Sequence, residues 1–316
     1  MKPIHGSTVS SSLMLRLGLC CINTELRKDR IFCSRTVTRA RFTMDRAKEL
    51  ALANIADAAT MMRWNHDHGI HVFRLSSDIF PHATDLETEP YDFTFAVSAL
   101  QELGDVARAC HQRITMHPGQ FNQVGAKSPD VFAKTVRDLE HHAFILDTMG
   151  MDASSILCIH GGGVYGDKEA TMRRWLEQFH DLPVSVKKRL AIENCERAYS
   201  TEDCLEMAYA CNIPMIFDTH HDACYRAINP RYQPEDVIDQ IPCIVATWKE
   251  VTPLMHISEQ RPDARVGAHS DFIETIPDYI IQTIQQGTSL DMEVEAKQKE
   301  QAIFHLYKKY PDLLAM

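Results

Sequence analysis

A unit that recurs along the chain limits its fold more than any other feature. It consists of a short apolar run, then a histidine or carboxylate, then a stretch with helical spacing. The clearest copy is Met215-Ile216-Phe217-Asp218-Thr219-His220-His221-Asp222. Met-Ile-Phe reads as a strand covered on both faces, because such strands show continuous rather than alternating apolar residues. The polar residues then fall at its C-terminal end, which carries the chemistry in a β/α barrel. Taken alone, the segment fits a helix-capping aspartate and surface histidines better than a site. Its repetition is what points to a site.

Strands are expected at 14–21, 72–75, 114–116, 155–159, 190–192, 215–217, 254–255 and 291–294. Helical spacing covers 45–68, where Ala47, Leu50, Ala51, Asn54, Ile55, Ala58, Met61 and Met62 share one face. Further helices are expected at 93–110, at 129–148 behind Ser128-Pro129 and at 168–180. Another spans 201–211 behind the capping-box pattern Ser200-Thr201-Glu202-Asp203, and others lie within 234–248, at 276–285 and at 298–310. Eight strands alternating with helices over 316 residues predict a single (β/α)8 TIM barrel, α/β in class. Any metal cluster would then sit at the C-terminal mouth of the barrel. A doubly wound sheet would need a glycine-rich phosphate turn; neither G-x-G-x-x-G nor G-x-x-x-x-G-K-[ST] occurs, so no nucleotide cofactor is expected. Residues 1–13 are polar and serine-rich and lack the apolar core of a secretory signal. They are expected to be a disordered extension of a domain at 14–316, with Met14 as an alternative start.

Composition excludes some classes. No apolar run reaches the ~18 residues of a membrane span. A net charge of −10 argues against a broadly basic surface but not against nucleic acid, since a local patch or bound cations can supply the field. One such patch stands out after the first strand: Arg27, Lys28, Arg30, Arg35, Arg39 and Arg41, offset only by Glu25 and Asp29. It reads as a long loop, either solvated or gripping phosphates. The ten cysteines form no C-x-x-C pair and sit mostly in apolar segments, as in a reducing compartment, the cytoplasm.

Asp78, His117, His160, Glu193, Asp218, His221, His256, His269 and Glu295 fall at or beyond the strand ends. In a closed barrel these ends converge, and so many imidazoles and carboxylates cannot stay unpaired in a partly buried cleft. Cations resolve the conflict. Imidazole with carboxylate and no thiolate suits Mn²⁺, Zn²⁺ or Fe²⁺, with Mg²⁺ a further option, and the number of candidates suggests two or three ions. His66, His68, His71, His82, His141, His142 and His180 are assigned to helix surfaces, packing or helix ends.

The residues at these places resemble the ultraviolet damage endonucleases. The matching stretches are Leu17-Gly18-Leu19-Cys20-Cys21-Ile22-Asn23-Thr24, Phe73-Arg74-Leu75-Ser76-Ser77-Asp78, Met116-His117-Pro118-Gly119-Gln120-Phe121, Ile159-His160-Gly161-Gly162, Ile192-Glu193-Asn194, Phe217-Asp218-Thr219-His220-His221 and Glu295-Ala296-Lys297. The resemblance implies a TIM barrel holding Mn²⁺ and hydrolysing the DNA phosphodiester 5′ to cyclobutane dimers or 6-4 photoproducts. It implies His117, His160, Glu193, Asp218, His221, His256, His269 and Glu295 as metal ligands, Gln120 and Phe121 as probes of the damaged duplex, and Asn23 in a loop facing the lesion. The chain departs from the family at Asp78, where a histidine can occur, and at Leu254, where some members carry a lysine able to act as a modified ligand. Phe121 and Leu19 stand at positions that can be tyrosine.

Such an enzyme needs an activated nucleophile, charge relief on the phosphate and a stabilised leaving group, all of which clustered divalent ions supply. Glu193 or Glu295 would bridge ions and orient water, and Lys297 would neutralise phosphate charge or else form a surface pair. Damaged DNA costs less to distort, and Gln120 with Phe121 would fill the gap left in the stack. Arg27 and Arg35, within the basic loop, would contact phosphates. A monomer acting on double-stranded DNA is expected. The rivals are a metal-dependent sugar isomerase, an apurinic-site endonuclease and a non-catalytic binding barrel.

Overall fold

The structure is a computed structural model that describes residues 15–232 and 237–314. The expected 1–13 extension lies outside the described residues, as does Pro234. Eight strands, β1 (Leu15–Cys20), β2 (Val72–Leu75), β3 (Arg113–Met116), β4 (Leu157–His160), β5 (Leu190–Glu193), β6 (Met215–Asp218), β7 (Leu254–Ile257) and β8 (Leu290–Val294), form a closed barrel in sequence order. Every neighbouring pair is parallel, and β8 closes on β1 through Leu15↔Leu290 and Leu17↔Met292.

Alternation along each strand divides two environments. Leu157 and Ile159, Met215 and Phe217, and Leu290, Met292 and Val294 pack outward under the helices in the main core. Val72, Cys158, Ala191, Ile216 and Leu254 gather with Ile156 and Trp248 in a smaller interior cluster. Leu254 is thus part of an apolar plug below the mouth, fully buried, and offers no ligand. Gly18 belongs to the same interior: a Cβ there would lie 2.7 Å from Val72 Cβ and 3.2 Å from Glu293 Cγ. Glycine makes the room that Glu293 occupies.

The surrounding helices follow their sequence signals. Met44–Asp67 starts at Thr43, whose side chain accepts from Arg46 N–H, and buries the expected Ala47, Leu50, Ala51, Ile55, Ala58, Met61 and Met62. Thr201–Cys211 begins with the complete Ser200/Asp203 capping box. Pro129–Thr148 begins at Pro129, but Ser128 makes no side-chain cap bond. Phe93–Ala96 is a 3₁₀ turn leading into the helix Val97–Ala109.

The basic segment is not one long loop. Asn23 caps a short helix, Thr24–Lys28, with its side-chain oxygen 2.9 Å from Leu26 N–H, and Arg39–Arg41 forms a 3₁₀ turn. A five-residue helix is too short for its periodicity to be read from sequence.

Candidate metal centre and barrel mouth

Six candidate ligands sit on strand ends or one step beyond. His160, Glu193 and Asp218 close β4, β5 and β6, His256 lies in β7, and His117 and Glu295 follow β3 and β8. His221 comes from the first turn of Thr219–Ile228, the helix that starts directly after β6. Glu193, fully buried, is the hub. One carboxylate oxygen lies 3.0 Å from His117 Nε2 and 3.7 Å from His160 Nε2; the other lies 2.9 Å from His256 Nδ1 and 3.3 Å from His221 Nδ1. Ligand atoms of His160, Glu193 and His221, and those of Glu193, Asp218 and His256, all fall within 4.8 Å of one another. Glu295 and His269 stand at one side, 3.6 Å apart.

The capping reading of Asp218 is realised, and it leaves one carboxylate oxygen unused. Its Oδ1 accepts from the N–H groups of His220 and His221 at 2.8 and 2.7 Å, the usual helix cap. Its Oδ2 is buried without a partner, as is His160 Nδ1. Buried polar atoms are rarely left unsatisfied, and these two belong to the donor set a divalent cation prefers. By this criterion the residues fit a metal site.

Charge balance supports the same view. Burial opposes the Glu193 carboxylate, yet the imidazoles of His256, His160, His117 and His221 outweigh it and hold its pKa well below the ordinary value. Burial disfavours charge on His256, but Glu193 prevails and raises its pKa to about 10. His256 Nδ1 lies 2.9 Å from Glu193, and its Nε2 lies 3.1 Å from Glu293 and 2.9 Å from Arg74 Nη2. His160 instead is shifted down, mainly by burial.

Four interior residues joined the cluster unforeseen. Arg74 of β2 reaches Glu293 Oε2 through Nε at 2.6 Å and Glu295 Oε1 through Nη1 at 2.5 Å. Thr115 Oγ1 donates to the other Glu293 oxygen. Cys158 Sγ donates to Glu193 at 2.9 Å, and burial together with Glu193 keeps it a thiol. The sequence did carry a signal for Glu293: Asp291, Glu293 and Glu295 recur every second residue, which places all three on one face of β8. Arg74 and Cys158 likewise share the inward phase of their strands.

The remaining candidates divide. Gln120 and Phe121 are exposed on the turn after β3, and Phe121, 59% exposed, is not core. Its ring folds over Gly119, where a Cβ would lie 2.6 Å from the ring and push it aside. A cavity of about 470 Å³ opens beside Phe121, bordered by Asp78, Phe80, Lys134 and His141. Asp78 is exposed and lines this cavity. Lys297 is exposed beyond Glu295 and pairs with no carboxylate among the described residues, which leaves the surface-pair reading without a partner. Arg27 is exposed, 5.6 Å from the Phe32 ring. Asn23 is fully buried in this structure: its Oδ1 caps a helix, and its Nδ2 has no partner. Arg35 turns inward to Asp57 at 2.5 Å and to the carbonyls of Phe32 and Arg30. Its partner lies 22 residues ahead, beyond any local pattern.

Comparison with known proteins agrees with this geometry. The family described as UV-endonuclease UvdE matches residues 15–315. A putative UV-damage endonuclease of Acanthamoeba polyphaga mimivirus is 37% identical over 95% of this chain and 92% of its own length. The UV-damage endonuclease of Schizosaccharomyces pombe is also 37% identical, over 93% of this chain, which spans only 50% of that relative. The crystal structure of SacUVDE superposes with a TM-score of 0.84 at 27% identity, covering 95% of this chain and all of the other. Endonuclease IV from Thermus thermophilus, TM-score 0.55 at 13% identity, shares the barrel. This chain is a member of the UV-damage endonuclease family.

Proposed function

We propose that this barrel hydrolyses the DNA phosphodiester immediately 5′ to UV photolesions, cyclobutane dimers and 6-4 photoproducts, leaving a 3′-hydroxyl and a 5′-phosphate. The observation that carries the reading is the convergence of His117, His160, Asp218, His221 and His256 on the buried Glu193, beside the exposed pair Gln120 and Phe121. The ions are assigned as Mn²⁺, two or three in number, held by these residues with Glu295 and His269. Such ions supply charge relief on the phosphate, an activated nucleophile and a stabilised leaving group.

The chain's own residues do the rest. Glu193 orients the cluster from its centre, and the unpaired Lys297 meets phosphate charge at the rim. Phe121 and Gln120 enter the gap in a poorly stacked lesion, and the neighbouring cavity accommodates displaced bases. Arg27, Lys28, Arg30 and Arg41, exposed and free of ion pairs among the described residues, grip the backbone. All of these groups come from one chain, which suits a monomer. DNA as substrate and ten free cysteines suit a reducing intracellular compartment, with the cytoplasm as the assignment.

A sugar isomerase would have no use for an exposed phenylalanine at the mouth. Incubation of UV-irradiated and intact supercoiled plasmid with Mn²⁺ tests the proposal. Nicking confined to irradiated plasmid is expected; equal nicking of both, or none, refutes it.

A further inference from the structure

Arg74 brings a permanent positive charge into the centre. It lies on the inward phase of β2, 8% exposed, with its guanidinium between the ends of β7 and β8. Its guanidinium nitrogens lie against three side chains. Nε and Nη2 both meet Glu293, Nη1 meets Glu295 Oε1 at 2.5 Å, and Nη2 is 2.9 Å from His256 Nε2. A guanidinium never loses its charge at working pH, and its planar fork fixes direction as an ammonium cannot.

The two carboxylates on Arg74 are left in different states. Glu293 is spent: one oxygen is on the guanidinium and the other accepts from Thr115. Glu295 gives Arg74 only Oε1, and its Oε2 faces His269 at 3.6 Å. One glutamate is therefore a counter-ion, and the next on the same strand is a ligand with one free oxygen.

We propose that Arg74 is a positioning residue that aims Glu295 and His256 at the mouth and keeps Glu293 from binding an ion. The proposal rests on the metal-centre reading above. It predicts that Glu293, though deeply buried beside the cluster, is not a ligand, and that the ion next to Glu295 and His269 depends on Arg74.

Titration of the full chain with Mn²⁺, followed by the electron paramagnetic resonance of the free ion, tests this. Glu293→Gln should bind the wild-type number of ions with affinity within about threefold; loss of an ion would make Glu293 a ligand and overturn the proposal. The double variant Arg74→Met/Glu293→Gln removes charge and counter-charge together, so no lone buried ion remains between them. It should bind one ion at least about tenfold more weakly, with circular dichroism unchanged. Wild-type affinity in that variant overturns the proposal, and a lowered melting temperature with unmoved affinity would mark Arg74 as structural only. If the double variant does not fold, Arg74→Lys decides: one ammonium cannot span both carboxylates, so several-fold weaker binding is expected, and unchanged binding overturns the proposal. Glu193→Gln separates the two levels. If it leaves Mn²⁺ binding unchanged, the metal-centre reading fails whatever Arg74 does.

Discussion

Glu193→Gln is the substitution with the sharpest expected outcome. The amide keeps the shape of the side chain and removes its charge. Three donors within 3.0 Å, His117 Nε2, His256 Nδ1 and Cys158 Sγ, then face a neutral group that accepts at only one end. Hydrogen bonds to a charged group contribute roughly 1.5–3 kcal/mol and neutral ones about 1 kcal/mol, so converting the two histidine contacts costs about 1–4 kcal/mol in the cation-free protein. The effect on the reaction is larger. The hub carboxylate touches both groups of mutually close ligands that contain His160 and Asp218, so ions bound there lose a shared anion. Removal of a preorganised group of this kind lowers kcat on the order of 10³-fold. The assay is single-turnover nicking of a duplex carrying one cyclobutane dimer, at saturating Mn²⁺, alongside lesion binding in a gel shift. Nicking should fall on the order of 10³-fold while binding stays within a few-fold, because Gln120 and Phe121 do not touch Glu193. A nicking rate within about tenfold of wild type would refute the role given to this residue.

Three further outcomes follow from the same geometry. Phe121→Ala should leave stability within about 0.5 kcal/mol, as at an exposed position, and weaken binding to damaged duplex by about 1–3 kcal/mol relative to intact duplex; a gel shift with both duplexes checks this. Replacement of Arg27 and Arg41 by Ala should reduce the slope of log affinity against log salt by about 0.9 per lost phosphate contact, with no change in lesion preference. His141 sits between the rings of Phe80 and Phe93 with both nitrogens unpartnered, and burial, with His142 and Arg137, lowers its pKa to about 3. A depressed folded-state pKa means stability present above the unfolded value near 6.5 and lost as pH falls toward 3, about 2 kcal/mol by pH 5. His141→Phe should remove that loss, so its melting temperature should gain on wild type as pH is lowered from about 8 to about 5.

Sequence alone revealed the barrel because its outward residues are uniformly apolar and its ligands sit where strands end. Those strand-end residues, His160, Glu193, Asp218 and His256, are local features of their strands, so their convergence followed once the barrel closed. The interior was harder to read. In β2 and β8, charged residues occupy inward positions between apolar ones, and nothing local to either strand marks Arg74 and Glu293 as a buried pair. Their partnership spans 219 residues and no local pattern encodes it. The basic segment misled for a related reason. Its charges suggested a single loop facing phosphate, but Arg35 is neutralised by Asp57 and Arg39 by Asp85 and Glu87, all distant in sequence. Asn23 carried the composition of a cap, and only the helix it caps showed that the cap was its use.

The central claim, that residues dispersed over the chain share cations in one pocket, is tested most directly by anomalous diffraction from crystals soaked in Mn²⁺. Peaks are predicted within ligation distance of Glu193, Asp218, His160 and His221, with none on Glu293. Anomalous density elsewhere on the barrel, or none at this cluster, would contradict it.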